Sequence, residues 1–302
     1  ASPGRSYLGV GRSRVVTASV ERGTVTESIL ANGLERSIEM TIFDFLRTDI
    51  STHRLSGNVD VDGTTFQLGW VGWLGYELGA QTAMAPVATS DASVPDACFI
   101  FLDRVIEFDH ATQTIFAIST ATDVEWGDVV QTAISDLLSN APTAATSGSN
   151  AVAGSDLTDN DLRFVARFKQ DEYQQLISSC LDEIRAGNAY QLCLTNRIDV
   201  SFGSAPDAFD VYERLRSANP SHHGGLIVAG GVSLISSSPE VFLSVSSDGH
   251  ATTKPIKGTR PRSDNADVDS ALADELRTNE KERAENLMIV DLMRNDLGRV
   301  CE

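Results

Sequence analysis

Short runs of β-branched and aromatic residues, bounded by polar ones, dominate the chain up to about residue 138. Residues 13–20 and 99–102 are clear examples, and such runs are typical of strands rather than helices. Residues 69–79 differ, because they hold four glycines and three large aromatic residues. Glycines let a backbone or a ligand approach closely and aromatic rings form a packing wall, so this segment predicts either a tightly packed β-layer or the wall of a small-molecule pocket.

Residues 139–160 are small and polar and have no hydrophobic periodicity. That composition is typical of a flexible connector rather than a packed element. We therefore predict an N-terminal region over 1–138, a linker over 139–160 and a second region over 161–302.

Two stretches of the second region carry apolar residues at helical spacing. In the first, Asp171 is the predicted N-cap and Gly187 the predicted stop. In the second, close to the end of the chain, Asn279 and Glu282 form a capping box and Gly298 is the expected end.

Further segments predict strands at 190–200, 225–235 and 241–245. Gln191 falls on the face of the first of these that opposes its apolar side chains. A neutral amide there can orient a substrate but cannot deprotonate water, and an ordinary exposed glutamine is the alternative. His222 follows a proline turn and predicts no metal site, because no Cys or His partner is close to it and its neighbour His223 in sequence.

The 302 residues include 24 basic and 42 acidic side chains, a formal net charge of −18. A nucleic-acid-binding protein needs a positive field to displace counterions from phosphates, so no nucleic-acid partner is expected. No apolar run approaches the ~20 residues of a membrane span, and no signal peptide is visible. The four cysteines lack metal-type spacing, which favours a reducing, cytoplasmic location.

Glu285 is a carboxylate on the apolar stripe of the last predicted helix, and Glu282 lies one turn earlier on the same side. A buried carboxylate is costly unless it is paired or binds a cation. Two interpretations are open: an ion pair with an arginine, or a ligand of Mg²⁺, which prefers hard oxygen donors.

Lys257 and Glu240 are the other candidate reactive residues. The chain has four lysines against twenty arginines, yet it keeps a lysine at 257, beside Ile256. A desolvated lysine can lose its proton and act as a nucleophile, which arginine cannot; an exposed lysine at a strand end is the alternative. Glu240 follows three serines and a proline, where it fits a general acid or a turn carboxylate that accepts backbone hydrogen bonds.

Four segments, in this order, resemble the chorismate-utilising enzymes of the anthranilate synthase component I family, and within it the aminodeoxychorismate synthase component I group. They are 186–195, 236–243, KPIKGTRPR at 254–262 and RAENLMIVDLMRNDLGRV at 283–300. The last is long and highly specific. Residues 69–79 are similar to the aromatic, glycine-rich segment of the same family, so the resemblance covers the chain from about residue 66 onward.

The resemblance implies an α+β fold in which two large, mostly antiparallel sheets pack as a sandwich with outer helices. The family continues well beyond Glu302, and this chain begins without an initiator methionine. We therefore expect an incomplete sandwich with exposed strand edges, and a fragment that is inactive alone.

The resemblance also implies a reaction. Lys257 would attack chorismate at ring carbon C2 while Glu240 protonates the leaving C4 hydroxyl, and ammonia would then add at C4 and expel the lysine. The product would be 4-amino-4-deoxychorismate, on the route to p-aminobenzoate and folate. The ammonia would come from a glutamine amidotransferase (glutaminase) subunit.

Other residues receive roles from the same resemblance. Glu285, together with Glu282, would hold the Mg²⁺ cofactor at the substrate carboxylate. Gln191, Gly258 and Thr259 would contact the substrate.

Two positions separate the members of the family. Aminodeoxychorismate synthases commonly have a lysine where this chain has Lys257, and anthranilate synthases usually have alanine. Isochorismate and salicylate synthases have a lysine base at the position of Gln191. The absence of that lysine from this chain favours ammonia over water as the nucleophile. The alternatives are an anthranilate synthase component I of tryptophan synthesis and, in another class, a non-catalytic fragment that only binds a glutaminase.

Overall fold

The computed structural model describes residues 4–53, 66, 68–87, 94–120, 125–140, 162–246 and 248–302. Within these ranges the protein is α+β and its paired strands are all antiparallel, which confirms the predicted fold class. No helix in the described ranges has the length and apolar character that a membrane crossing requires.

Strands and helices follow one another along the whole described chain. The strands are β1 (Arg5–Val10), β2 (Arg14–Ser19), β3 (Thr24–Ile29), β4 (Leu34–Glu39), β5 (Gly69–Leu74), β6 (Ala97–Leu102), β7 (Arg104–Asp109), β8 (Thr114–Ser119), β9 (Arg163–Ala166), β10 (Ile198–Ser201), β11 (His223–Ala229), β12 (Val232–Ser238), β13 (Val241–Val245) and β14 (Ala251–Lys254). The helices are α1 (Ile42–Thr52), α2 (Gly79–Thr82), α3 (Trp126–Asn140), α4 (Gln170–Arg185), α5 (Ala208–Ala218), α6 (Ala266–Thr278) and α7 (Glu280–Gly298).

The largest sheet has the strand order β4-β3-β2-β6-β5, and a three-stranded sheet has the order β1-β7-β8. Apolar residues alternate along β2 and β3, so one face of the large sheet can bury Val16 and Val25 completely. Ile42 and Phe45 of α1 complete this core cluster. The other sheets have two strands each: β9 with β10, β11 with β12, and β13 with β14.

The glycine-rich segment at 69–79 forms β5 and then a short 3₁₀ turn, Tyr76–Leu78. A Cβ atom at Gly72 would lie 1.9 Å from the carbonyl oxygen of Cys98 in β6, so a larger residue would part the two strands. The packed-layer interpretation therefore holds for this strand. Val71 also lines a cavity of about 260 Å³ together with Ile100 and Leu226, so the same segment forms part of a pocket wall.

The segment 225–235, predicted as one strand, belongs to a hairpin of β11 and β12. The chain reverses at Gly230 and Gly231, whose φ angles are +58° and +75°. Two consecutive residues with positive φ match the right-handed twist of a two-stranded hairpin, and glycine adopts them without strain. The turn was not predicted, because the apolar residues on both sides of the two glycines have the pattern of one continuous strand.

Two compact units make up the chain: Ala1–Val130 with Tyr212–Glu302, called unit 1, and Gln131–Val211, called unit 2. The predicted linker at 139–160 lies outside the described residues except for its first two positions, which end α3. The sequence-based division at that segment stays a prediction.

Unit 2 corrects two sequence-based expectations. Helix α4 is present, but its N-cap is Lys169 rather than Asp171. The strand expected over 190–200 begins only at Ile198. The side chain of Asn196 accepts from the backbone N–H of Phe168 and donates to its carbonyl, both at 3.1 Å, so it replaces the strand ladder there.

Candidate functional site

The candidate site in unit 1 is the irregular segment 255–265 between β14 and α6, here called the Lys257 loop. Lys257 is partly buried and lines an open depression of about 340 Å³. The other lining residues come from the loop itself, from the end of α6 and from the first turns of α7: Pro255, Ile256, Leu276, Arg277, Glu282, Arg283 and Asn286.

Glu240 lies in the turn between β12 and β13 and is hydrogen-bonded to the Lys257 loop. Its Oε1 atom accepts the backbone N–H of Ile256 at 2.9 Å, so the carboxylate is fixed one residue before Lys257. This bond matches the turn-carboxylate interpretation. It also places Glu240 beside the residue that precedes the nucleophile candidate, and Oε2 makes no hydrogen bond to the residues that the structure describes.

Gly258 follows Lys257 with φ +83°, a conformation that side chains rarely adopt. A Cβ atom there would lie 2.9 Å from Oε2 of Glu282 and 2.9 Å from Cδ1 of Leu276. The loop therefore passes directly against α6 and α7. Thr259 is exposed, and its carbonyl accepts from Nη1 of Arg260 at 2.8 Å.

Arg260 ties the loop to both helices. Nη2 donates to Oε1 of Glu275 at 3.0 Å, Nε donates to Oε2 of the same carboxylate, and Nη1 lies 3.2 Å from Oε1 of Glu282. Hydrogen bonds from Arg260 and then from Asn279 lower the pKa of Glu275 to about 2, so this carboxylate stays ionised at neutral pH.

The two carboxylates predicted to hold Mg²⁺ have different surroundings. Glu282 is 15% exposed and pairs with Arg260, whereas the arginine pair left open from the sequence is one for Glu285. Glu285 is 44% exposed, and its Oε1 lies 3.4 Å from Nζ of Lys281, one turn earlier on α7. Within the described ranges no group of three or more His, Cys, Asp or Glu side chains is arranged to hold a metal ion. Each carboxylate thus has a cationic partner in the described structure, and the assignment of Glu285 and Glu282 as Mg²⁺ ligands stays a prediction.

Gln191 lies apart from these residues in the chain. It belongs to unit 2 and is exposed in the irregular segment between α4 and β10, not on a strand. The expectation that its side chain opposes an apolar strand face is therefore wrong, because the strand does not extend to it. Its role toward substrate stays a prediction.

Sequence reasoning missed the residues that hold the loop in place. These are Arg260 with Glu275, and Arg262, which donates twice to Asp269 of α6 at 2.8 Å. One feature of the sequence indicates them: two arginines in an irregular segment directly precede a helix rich in acidic residues. Their pairing could not be derived, because the sequence does not say which carboxylates face the loop.

The family described as chorismate binding enzyme matches residues 13–302 of this chain. The chain belongs to this family. The Lys257 loop and helices α6 and α7 lie in its matched part.

Relatives of two kinds are similar to the chain. An aminodeoxychorismate synthase of Streptomyces griseus is 37% identical over 299 residues, which cover 96% of this chain and 39% of the relative. An anthranilate synthase component 1 of Mycolicibacterium smegmatis is 32% identical, covering 98% of this chain and 57% of the relative. The chain thus spans between two fifths and three fifths of the length of these relatives.

The fold is also that of a solved structure. Anthranilate synthase component I from Streptococcus pneumoniae superposes with a TM-score of 0.72 at 27% sequence identity. The match covers 98% of this chain and 61% of that chain.

Proposed function

We propose that this chain is part of an aminodeoxychorismate synthase component I, which aminates chorismate at C4 to give 4-amino-4-deoxychorismate. The observation that carries the proposal is Lys257, the lysine that the resemblance associates with this group rather than with anthranilate synthases. It lies next to Ile256, whose backbone Glu240 holds at 2.9 Å. A nucleophile and an acid on two linked turns are the pair of groups that this reaction needs.

Lys257 and Glu240 would divide the reaction into two displacements. The neutral amine of Lys257 forms a bond to ring C2, the ring double bond shifts, and the C4–O bond breaks. The acid form of Glu240 protonates the leaving hydroxyl, which departs as water. Ammonia then bonds to C4 as the C2–N bond breaks, and the proton that the added nitrogen loses restores the acid form of Glu240.

The Mg²⁺ cofactor and the glutaminase are part of the proposal. When bound, Mg²⁺ would neutralise charge at the substrate carboxylate, and Glu285 is the residue of this chain that would hold it. Gly258 and Thr259 would shape the substrate side of the loop, and a glutamine amidotransferase subunit would supply ammonia.

The test is the identity of the product. The protein, expressed from its complete reading frame, is incubated with chorismate, Mg²⁺ and ammonium, and products are separated by mass and fluorescence. We expect 4-amino-4-deoxychorismate. Lys257→Ala should lose this activity, whereas Lys169→Ala, which removes a lysine from unit 2, should keep it.

Anthranilate synthase component I is the second candidate, favoured by the similarity to the Mycolicibacterium smegmatis and Streptococcus pneumoniae proteins. Anthranilate as the product would establish it and would mean that Lys257 does not decide which ring carbon is aminated. A protein that binds a glutaminase but leaves chorismate unchanged would favour the non-catalytic alternative.

A further inference from the structure

Lys257 lies in a loop without regular hydrogen bonding, yet the proposed reaction needs its Nζ atom at a fixed position. Glu240 fastens the loop on the N-terminal side of Lys257, through the backbone N–H of Ile256. Two arginines fasten the C-terminal side, and of these Arg260 lies closer to Lys257 than Arg262 does.

We propose that Arg260 is a positioning residue, which holds the C-terminal side of the Lys257 loop against helices α6 and α7 through Glu275 and Glu282. This role rests on the proposed function of Lys257. It also gives Glu282 a task other than metal binding, since its carboxylate is the partner that α7 contributes.

The geometry of Arg260 suits this role. Its guanidinium donates to both oxygens of Glu275 and also reaches Oε1 of Glu282 at 3.2 Å. A planar fork that meets a carboxylate with two donors fixes orientation as well as distance, which a lysine ammonium does not. The Arg260 and Glu282 side chains are 23% and 15% exposed, so solvent screens this contact less than it screens a surface pair, whereas Glu275 is 47% exposed.

The backbone of the loop depends on the same carboxylate. With φ +83° at Gly258, the chain approaches Oε2 of Glu282 so closely that no Cβ atom fits between them. Nη1 of Arg260 also donates to the carbonyl of Thr259 at 2.8 Å, which links the side-chain clamp to the loop backbone. Movement of Arg260 would therefore release the residues that directly follow Lys257.

The test follows the chemical reactivity of Lys257 and needs no substrate. The protein is trace-labelled with acetic anhydride across a range of pH, and acetylation of each lysine is read by peptide mass spectrometry. The chain has only four lysines, so Lys169 of unit 2 serves as the internal standard. In Arg260→Gln we expect the rate at Lys257 to rise roughly three- to tenfold, because loss of coupling between the loop and the two helices leaves its side chain more accessible.

Arg262→Gln is the matched control. Arg262 lies two residues further along the loop and also donates twice to a carboxylate of α6, that of Asp269, but it makes no contact with Glu282 in the described structure. We expect the Lys257 rate in this variant to stay within about twofold of the wild type. Arg260→Lys keeps the charge without the fork and should give an intermediate rate.

Equal rates at Lys257 in wild type and folded Arg260→Gln, or equal changes in the Arg260→Gln and Arg262→Gln variants, would overturn the proposal. If Arg260→Gln does not fold, the acetylation rate of Lys257 in Arg260→Lys is compared with the rates in the wild type and in Arg262→Gln instead. Steady-state assays add a second distinction: a positioning role predicts a fall in kcat with little change in KM for chorismate. If the wild-type protein expressed from its complete reading frame does not convert chorismate, the proposed function fails, and the labelling still decides whether Arg260 holds the loop.

Discussion

Gly258 is the residue at which the constraints on the candidate site are sharpest. Its backbone conformation favours glycine, and the space for a Cβ atom is taken by Glu282 and Leu276. Since the Glu282 carboxylate is held by Arg260, it cannot move aside without breaking that contact.

Gly258→Ala should therefore destabilise the protein more than a substitution at a glycine that has only the backbone constraint. Gly249 is that control, because its φ is +87° and a Cβ atom added to it would have no described atom within 4 Å. We expect each change to cost about 1 kcal/mol for the backbone, and Gly258→Ala a further ~1–3 kcal/mol for the overlap. Urea unfolding of both variants measures the loss in free energy of unfolding. Equal losses at Gly258 and Gly249 would show that the loop shifts at little cost to make room for the Cβ atom.

Asp49 is a buried carboxylate in unit 1 that carries a second residue-scale prediction. Nη2 of Arg14 and Nε1 of Trp70 both donate to it, the latter at 2.9 Å. Burial alone would raise the pKa of Asp49, but these hydrogen bonds and the charge of Arg14 outweigh it, so its pKa lies below the ordinary value.

The lowered pKa of Asp49 predicts how stability depends on pH. The stabilisation is fully present above the unfolded pKa of about 4 and is lost as the pH falls through the lower folded pKa. Asp49→Asn should cost about 3 kcal/mol at neutral pH and flatten the loss of stability below about pH 4. In the exposed pair of Asp182 with Arg185, Asp182→Asn should change stability by less than about 1 kcal/mol. Thermal unfolding of the wild type and of Asp49→Asn from pH 2 to 7 measures this dependence. The same loss of stability at acid pH in both proteins would contradict the prediction.

At the scale of single residues, the sequence indicated Lys257 and Glu240 because their types were unusual in context. It could not give the partners of Arg260, whose importance comes from where two helices place Glu275 and Glu282. A residue's chemistry is visible in sequence, whereas its partners depend on tertiary contacts.

At the scale of secondary-structure elements, the turn of the β11–β12 hairpin packs against the large sheet. A Cβ atom at Gly230 would lie 3.0 Å from Sγ of Cys98 and 3.1 Å from Cγ2 of Thr17, while Gly231 has open space around it. Cys98 and Ala229 are buried in one cluster with Val15, so the hairpin and the sheet share a core.

Gly230→Ala and Gly231→Ala should separate docking of this hairpin from its turn geometry. Both have positive φ, so both lose about 1 kcal/mol, but only Gly230→Ala also crowds Cys98 and should lose ~1–3 kcal/mol more. Chemical denaturation measures the difference. Similar losses in the two variants would mean that the hairpin packs loosely on the sheet.

The two helices predicted in the second half of the chain are present, whereas one of the strands predicted there is mostly absent. The pattern that ends at Gly298 and begins after Asn279 matches α7, whose cap bond from Glu282 N–H to Asn279 Oδ1 is 3.1 Å long. The strand expected over 190–200 is absent before Ile198, because alternation in sequence does not guarantee a pairing partner. A helix satisfies its backbone locally, whereas a strand depends on another segment.

For the whole molecule, the distribution of buried residues predicts uneven stability. The buried apolar residues of the described structure lie in unit 1, at positions 15–130 and at Ala229, and none lies in the described part of unit 2. Segments with few buried contacts open more readily than a packed core.

Amides of α4 in unit 2 should therefore exchange with solvent faster than those of β2 and β6 in the core of unit 1. Hydrogen exchange followed by mass spectrometry should give protection factors that differ by roughly 100-fold or more. Equal protection would show that the two units unfold together.

The central claim concerns one atom, Nζ of Lys257, and a trapped adduct tests it most directly. The protein from its complete reading frame is incubated with chorismate and Mg²⁺ without ammonia, then digested and mapped by mass spectrometry. We predict that the Lys257 peptide gains the mass of chorismate less one water, and that Lys257→Arg removes this species. Absence of the adduct from an enzyme that forms 4-amino-4-deoxychorismate once ammonium is added, or an adduct that survives Lys257→Arg, would contradict the account.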